Sequence, residues 1–152
     1  RDWTANTVRS CADPAVACRC LHARDPLGCC LLLGSNLAAP GGEAYADAWN
    51  FGPLPTDVSK VGDLAGALLA RWGREGWKDV SDPAAPHEAE LLRLSIDKAV
   101  SRLGWRPVWD FAETVARTAD WYADVTAGAA TTRAACERDL DAYITAATFA
   151  AD

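Results

Sequence analysis

His87 and Glu88 open the stretch His-Glu-Ala-Glu-Leu, which starts like the His-Glu-x-x-His pair that two successive helical turns present to zinc. Leu91 stands where the second histidine must be, so that metal site is not built here. Cys20 and His22 lie two apart, the spacing that puts a thiol and an imidazole on one face of a strand. A nucleophile pair also needs a third group to orient the base, and none is identifiable. A phenol activated by an ammonium one helical turn away is missing too. Four residues after Tyr45, Tyr122 and Tyr143 stand Trp49, Thr126 and Ala147, not lysine. Neither a glycine-rich phosphate loop nor a Gly-x-Ser-x-Gly elbow occurs. The six cysteines crowd the start, five within the first 30 residues, yet no two have Cys-x-x-Cys spacing. Reduced, partly buried thiols are expected, rather than zinc or a disulfide framework.

Composition narrows the class. A chain of 152 residues, half apolar and a quarter charged, has the size and balance of one soluble globular domain. A net charge of -6 argues against nucleic acid as partner. Most of that excess lies from Asp110 onward, where eight acids face three bases on what reads as a solvated helical surface. No apolar run approaches the ~20 residues of a membrane span, so no membrane partner is expected. The opening residues carry no signal-peptide pattern, and a cytoplasmic chain cut from something longer is the expectation.

The elements that must position any site follow from periodicity. Residues 1–30 have no clean period. A helix is expected over 26–38, then a buried strand ending at Asn50–Phe51 between Pro-Gly-Gly and Gly-Pro breakers. Ser59 is expected to cap a helix whose stripe is Val61, Leu64, Ala65, Leu68, Leu69 and Trp72, stopped by Gly73. Trp77–Val80 and Glu-Leu-Leu-Arg-Leu-Ser (90–95) read as short strands. Ser95 then caps a two-turn helix carrying Ile96, Ala99, Val100 and Leu103, with Gly104 at its end. Asp110 and Glu113 have capping-box spacing and start a long helix with Phe111, Val115, Ala119, Tyr122 and Val125 inward. A last helix, 132–148, places Cys136, Leu140, Tyr143, Ile144 and Ala147 on one face. Trp49, Trp72, Trp105 and Trp121 are expected in the core. The class is α/β with helices dominant, divided into a poorly defined leading segment, 1–38, and a single compact unit, 39–152.

Three stretches, AWNFGP, HEAELLRLSIDKAVSRLGWRP and AETVARTADWY, resemble the C-terminal part of CDP-glucose 4,6-dehydratases, which are extended short-chain dehydrogenase/reductase enzymes. The likeness covers residues 20–125 well and the ends loosely. It implies a helix-rich, substrate-binding C-terminal part that lacks the N-terminal Rossmann half, with the glycine-rich turn and the Tyr/Lys pair upstream of Arg1. The implied chemistry is NAD-assisted loss of water from CDP-glucose to give CDP-4-keto-6-deoxyglucose. NAD would belong to the full-length enzyme, and none is expected to bind this chain alone. The resemblance further implies a nucleotide-sugar partner, a homodimer, and no catalytic residue within the chain. His22 keeps the family's histidine before the Pro-Leu helix. The family's arginine place falls on Cys18, with Arg19 displaced by one. His87 and Glu88 keep the family's His-Glu. Arg19, His22, His87 and Glu88 are therefore the substrate-binding candidates. The competing reading is a non-catalytic nucleotide-sugar-binding or interaction module.

Overall fold

The computed structural model describes residues 9–11, 13–18, 20–57, 59–74, 76–82 and 94–149. Five helices carry the fold: α1 (Arg24–Ala38), α2 (Val61–Arg71), α3 (Asp97–Leu103), α4 (Phe111–Thr126) and α5 (Thr132–Phe149). Four short strands accompany them: β1 (Arg9–Cys11), β2 (Ala17–Cys18), β3 (Ser59–Lys60) and β4 (Trp77–Asp79). β1 pairs with β4 in parallel, Arg9 opposite Trp77, and β2 pairs with β3 antiparallel, Cys18 opposite Ser59. The outcome is a helix-rich α/β arrangement in which β2 and β3 hold the start of α2 and Trp77 of β4 lies against Gly62 of that helix.

Helix boundaries follow local chemistry. Asp110 accepts the backbone N–H of Glu113 at 2.8 Å and starts α4. Glu113 does not complete the capping box, because its carboxylate is held by Arg117 one turn on, at 2.7 Å. The expected cap of α2 is corrected. Ser59 lies in β3, and the start of α2 is held by the Lys60 N–H donating to the Asp63 carboxylate at 2.8 Å. Ser95 does act ahead of α3, where its hydroxyl accepts the Asp97 N–H. Gly104 ends α3 with φ +64°, and the Trp105 N–H reaches back to the Ala99 carbonyl, closing the turn.

The central core joins Cys29 of α1 to Ile96, Ala99 and Trp105, with Leu32, Trp49, Phe51, Leu54, Val100 and Leu103 packed around them. Trp49 and Phe51 thus reach the core from extended coil, not from the expected strand, which finds no partner among the described residues. The strand expected over 90–95 falls largely on residues outside the described set, and its end, Leu94–Ser95, is coil. β4 matches the expected Trp77 strand. Of the four tryptophans assigned to the core, only Trp105 is fully buried. Trp109, in the hinge before α4, is equally buried, at 5% exposure.

The inner face of α5 also differs from the expected one. Leu140 and Ile144 are exposed, at 43% and 54%, while Ala135 and Asp139 are buried. The helix therefore turns Ala135, Asp139 and Tyr143, spaced four apart, toward the rest of the fold. On α4, Val115 and Ala119 face inward as expected, but Tyr122 is half exposed. Cys18 and Cys20 are joined as a disulfide, with Cα atoms 5.5 Å apart, against the expectation of reduced thiols throughout. Cys29, Cys30 and Cys136 are free.

Candidate functional site

Of the four residues singled out for substrate binding, His22 is described. Arg19, His87 and Glu88 lie outside the described residues. His22 stands just before α1, where Asp25 and Pro26 begin the helix, a carboxylate and a φ-restricted residue both favoured in a first turn. Its Nδ1 accepts the Arg24 N–H at 3.3 Å, which leaves the proton on Nε2. The ring stands edge-on to Trp109, with centroids 4.6 Å apart. Burial lowers its pKa from 6.5, and the nearby Arg24 and Arg117 add to that against the opposing pull of Asp139. His22 is therefore neutral at pH 7 and offers an Nε2–H that has no hydrogen-bond partner among the described residues.

Around it lies a polar junction that sequence reasoning missed. Asp25 is fully buried, and its Oδ1 accepts the Val108 N–H at 2.8 Å and the Tyr143 hydroxyl at 3.0 Å. One carboxylate thus ties α1 to the hinge before α4 and to α5. Its Oδ2 has no partner. Burial raises the Asp25 pKa, partly offset by those two donors. Tyr143 is pushed up by burial and by the neighbouring carboxylate. Arg24 donates through Nη2 to the Cys136 carbonyl, while its Nε is buried without a partner. Trp109 is wedged edge-on between His22 and Tyr143, and the Arg117 guanidinium lies over its ring at 5.3 Å. Asp139, also buried, has an Oδ1 that makes no hydrogen bond and lies 3.6 Å from Arg138.

The junction can orient an anion at His22, but it is not built to move protons. Asp25 is closed to solvent, and its Oδ1 is already occupied by the Val108 N–H and the Tyr143 hydroxyl. Sequence signals for it existed: Asp-Pro at a helix start, and an aspartate on a helical row with Ala135 and Tyr143.

Dinucleotide binding requires bare backbone amides at a strand–turn–helix with glycines for close approach. Among the described residues, β3 runs straight into α2, and Asp63 occupies the Lys60 amide there. The space beside Gly62 is filled by Trp77 and Pro14, whose atoms lie 3.1 and 3.2 Å from where a Cβ would stand. The β3–α2 junction therefore does not fit a dinucleotide, and no step is derived through NAD.

The chain is 31% identical over 101 residues to a CDP-glucose 4,6-dehydratase of Salmonella typhimurium, covering 66% of this chain and 28% of that protein. It is 50% identical over 64 residues to a dTDP-glucose 4,6-dehydratase of Streptomyces antibioticus, covering 41% of this chain and 18% of that one. The chain therefore spans less than a third of the length of either relative. No protein-family model matches it. Part of the chain is similar to nucleotide-sugar 4,6-dehydratases, and those two relatives are named for different nucleotides.

Proposed function

We propose that this chain is the C-terminal, nucleotide-sugar-holding part of a 4,6-dehydratase acting on CDP-glucose, and that it is inert when isolated. The 101-residue likeness to a protein of that name carries the reading. One feature of the described geometry supports it. His22, inside the resembling stretch, offers a neutral Nε2–H at the head of α1, suited to a diphosphate or ribose oxygen. In the whole enzyme a preceding portion would hold NAD and the Tyr/Lys pair and would oxidise the sugar before water is lost. Arg19, His87 and Glu88 complete the grip in this reading, Arg19 toward the diphosphate and His87 with Glu88 toward ribose or base. The assembled enzyme is proposed to be a cytoplasmic homodimer.

A ligand that binds only the folded state raises its melting temperature. The reading predicts that CDP-glucose at millimolar concentration raises the melting transition of the purified chain. CDP should do so partly, and UDP-glucose and dTDP-glucose less. His22→Ala should shrink the CDP-glucose shift. An unmoved transition with every nucleotide would contradict the proposed grip.

A second reading, a nucleotide-sugar-binding or interaction module with no catalytic partner, rests on the same geometry at His22. Adding a separately expressed nucleotide-binding half of a dehydratase distinguishes the two. Recovered dehydration supports the enzyme part, and its absence supports the module.

A further inference from the structure

We propose that the Cys18–Cys20 disulfide is a redox latch, opened by a low-molecular-weight thiol, that sets the length of the link between α2 and His22. The bond joins cysteines two apart in sequence, where β2 ends and the approach to α1 begins.

The first support is that the latch sits between two anchored pieces. Upstream, Ala17 and Cys18 of β2 pair with Lys60 and Ser59 of β3. The Val61 and Gly62 N–H groups that open α2 donate to the Val16 and Pro14 carbonyls, at 2.9 and 3.0 Å. Downstream, the His22 carbonyl accepts the Asp25 N–H at 3.0 Å, and its ring stands against buried Trp109. Along the chain, residues 19–21 alone connect Cys18 to His22.

The second is length. The disulfide holds the Cys18 and Cys20 Cα atoms 5.5 Å apart. Two residues of extended chain reach about 7 Å, so opening the bond releases about 1.5 Å of slack. Both ends are tied by hydrogen bonds, so that slack is taken up at the head of α1 or at the start of α2.

The third is that the bond adds little to the fold. A disulfide constrains the unfolded chain, and the gain grows with the loop it closes. Cys18 and Cys20 close the shortest loop open to two non-adjacent cysteines. Neither belongs to the core around Cys29, Ile96, Ala99 and Trp105, and the two freed thiols stay close enough to reclose. Both cysteines are only partly buried, which gives an attacking thiolate access.

The step is thiol–disulfide exchange. A reductant thiolate attacks one sulfur, the Cys18–Cys20 bond breaks, and a mixed disulfide forms. A second reductant thiol carries the first away as a disulfide, so two electrons and two protons end on Cys18 and Cys20.

The test places the whole chain in millimolar dithiothreitol and in glutathione buffers, without denaturant. Differential alkylation with peptide mapping should show Cys18 and Cys20 opening together and reclosing when oxidised glutathione is restored. Far-UV circular dichroism should not change. The His22 ring resonances, assigned by comparison with His22→Gln, should move between the two forms. The His22 pKa should rise toward 6.5 on reduction, as slack draws the ring out of the burial that lowers it, beside Arg24, Arg117 and Asp139. Cys18→Ser with Cys20→Ser should reproduce the reduced signals and ignore the redox buffer. Loss of circular dichroism on reduction, a bond that opens only in denaturant, or His22 signals indifferent to its state overturns the proposal. Should the double variant fail to fold, the titration of the unaltered chain decides alone. No nucleotide is present in this test, so failure of the proposed grip leaves its result standing.

Discussion

At the scale of single residues, the junction at the head of α1 shows what one buried carboxylate can fix. Tyr143→Phe removes one of the two donors to Asp25 and should cost about 1 kcal/mol in a denaturant melt. No change would mean that α5 is held by other contacts. His22 sets a pH dependence of definite sign. Its folded pKa lies below 6.5, so on acidification the unfolded chain takes up the proton first. Stability should fall as pH drops from 6.5 toward the folded value, and His22→Gln should flatten that part of the profile. Asp25 works in the opposite sense, since a raised carboxyl pKa means that stability is lost as pH rises through the window above 3.8. Comparing His22→Gln with Asp25→Asn separates the two slopes. The thiols divide by burial as well. Cys29 is 2% exposed and its pKa is pushed up to about 11, whereas Cys30 is exposed. Maleimide at neutral pH should label Cys30 and spare Cys29, and mass mapping of the adducts checks this. His22 was singled out through the resemblance, which keeps a histidine before the Pro-Leu helix. The pairing of Asp25 with Tyr143 was not legible, because 118 residues separate them and no local pattern joins them.

At the scale of elements, the legible features were those whose cause lies within four residues. The Asp110 cap, the Gly104 stop and the stripe of α2 all depend on neighbours along the chain. The expected strand at Asn50–Phe51 failed because a strand is defined by its partner, and an apolar run between breakers fits core-facing coil equally well. The face of α5 failed for a related reason. Periodicity placed Tyr143 inward, where it meets the bare Gly28 of α1, but it placed Leu140 and Ile144 there too, and these are exposed while Ala135 and Asp139 are buried. Close approach explains Gly42 too. A Cβ there would stand 2.2 Å from the Leu37 carbonyl oxygen, so Gly42→Ala must move backbone where α1 turns into the 3₁₀ helix Gly42–Tyr45. The expected cost is about 3 kcal/mol by thermal melt, the upper end for overpacking. A loss as small as that of an ordinary surface alanine would contradict the tight turn.

At the scale of the whole molecule, α4 packs against both α2 and α5, two short sheets accompany the helices, and large apolar side chains remain in solvent. Leu27 and Leu31 of α1 are 60% and 77% exposed, and Leu140 and Ile144 of α5 are exposed beside the Gly28–Tyr143 contact. Composition could not reveal this, because it counts apolar residues without saying which of them the fold covers. No helix among the described residues is long and apolar enough to cross a membrane. The account as a whole holds that these residues grip a nucleotide sugar and leave its bonds unchanged. Proton and phosphorus NMR of CDP-glucose mixed with the purified chain and NAD tests both halves together. The account predicts shifted or broadened diphosphate resonances and no methyl signal from a 6-deoxy sugar, even after long incubation. An unperturbed spectrum, or the appearance of that methyl signal, would contradict it.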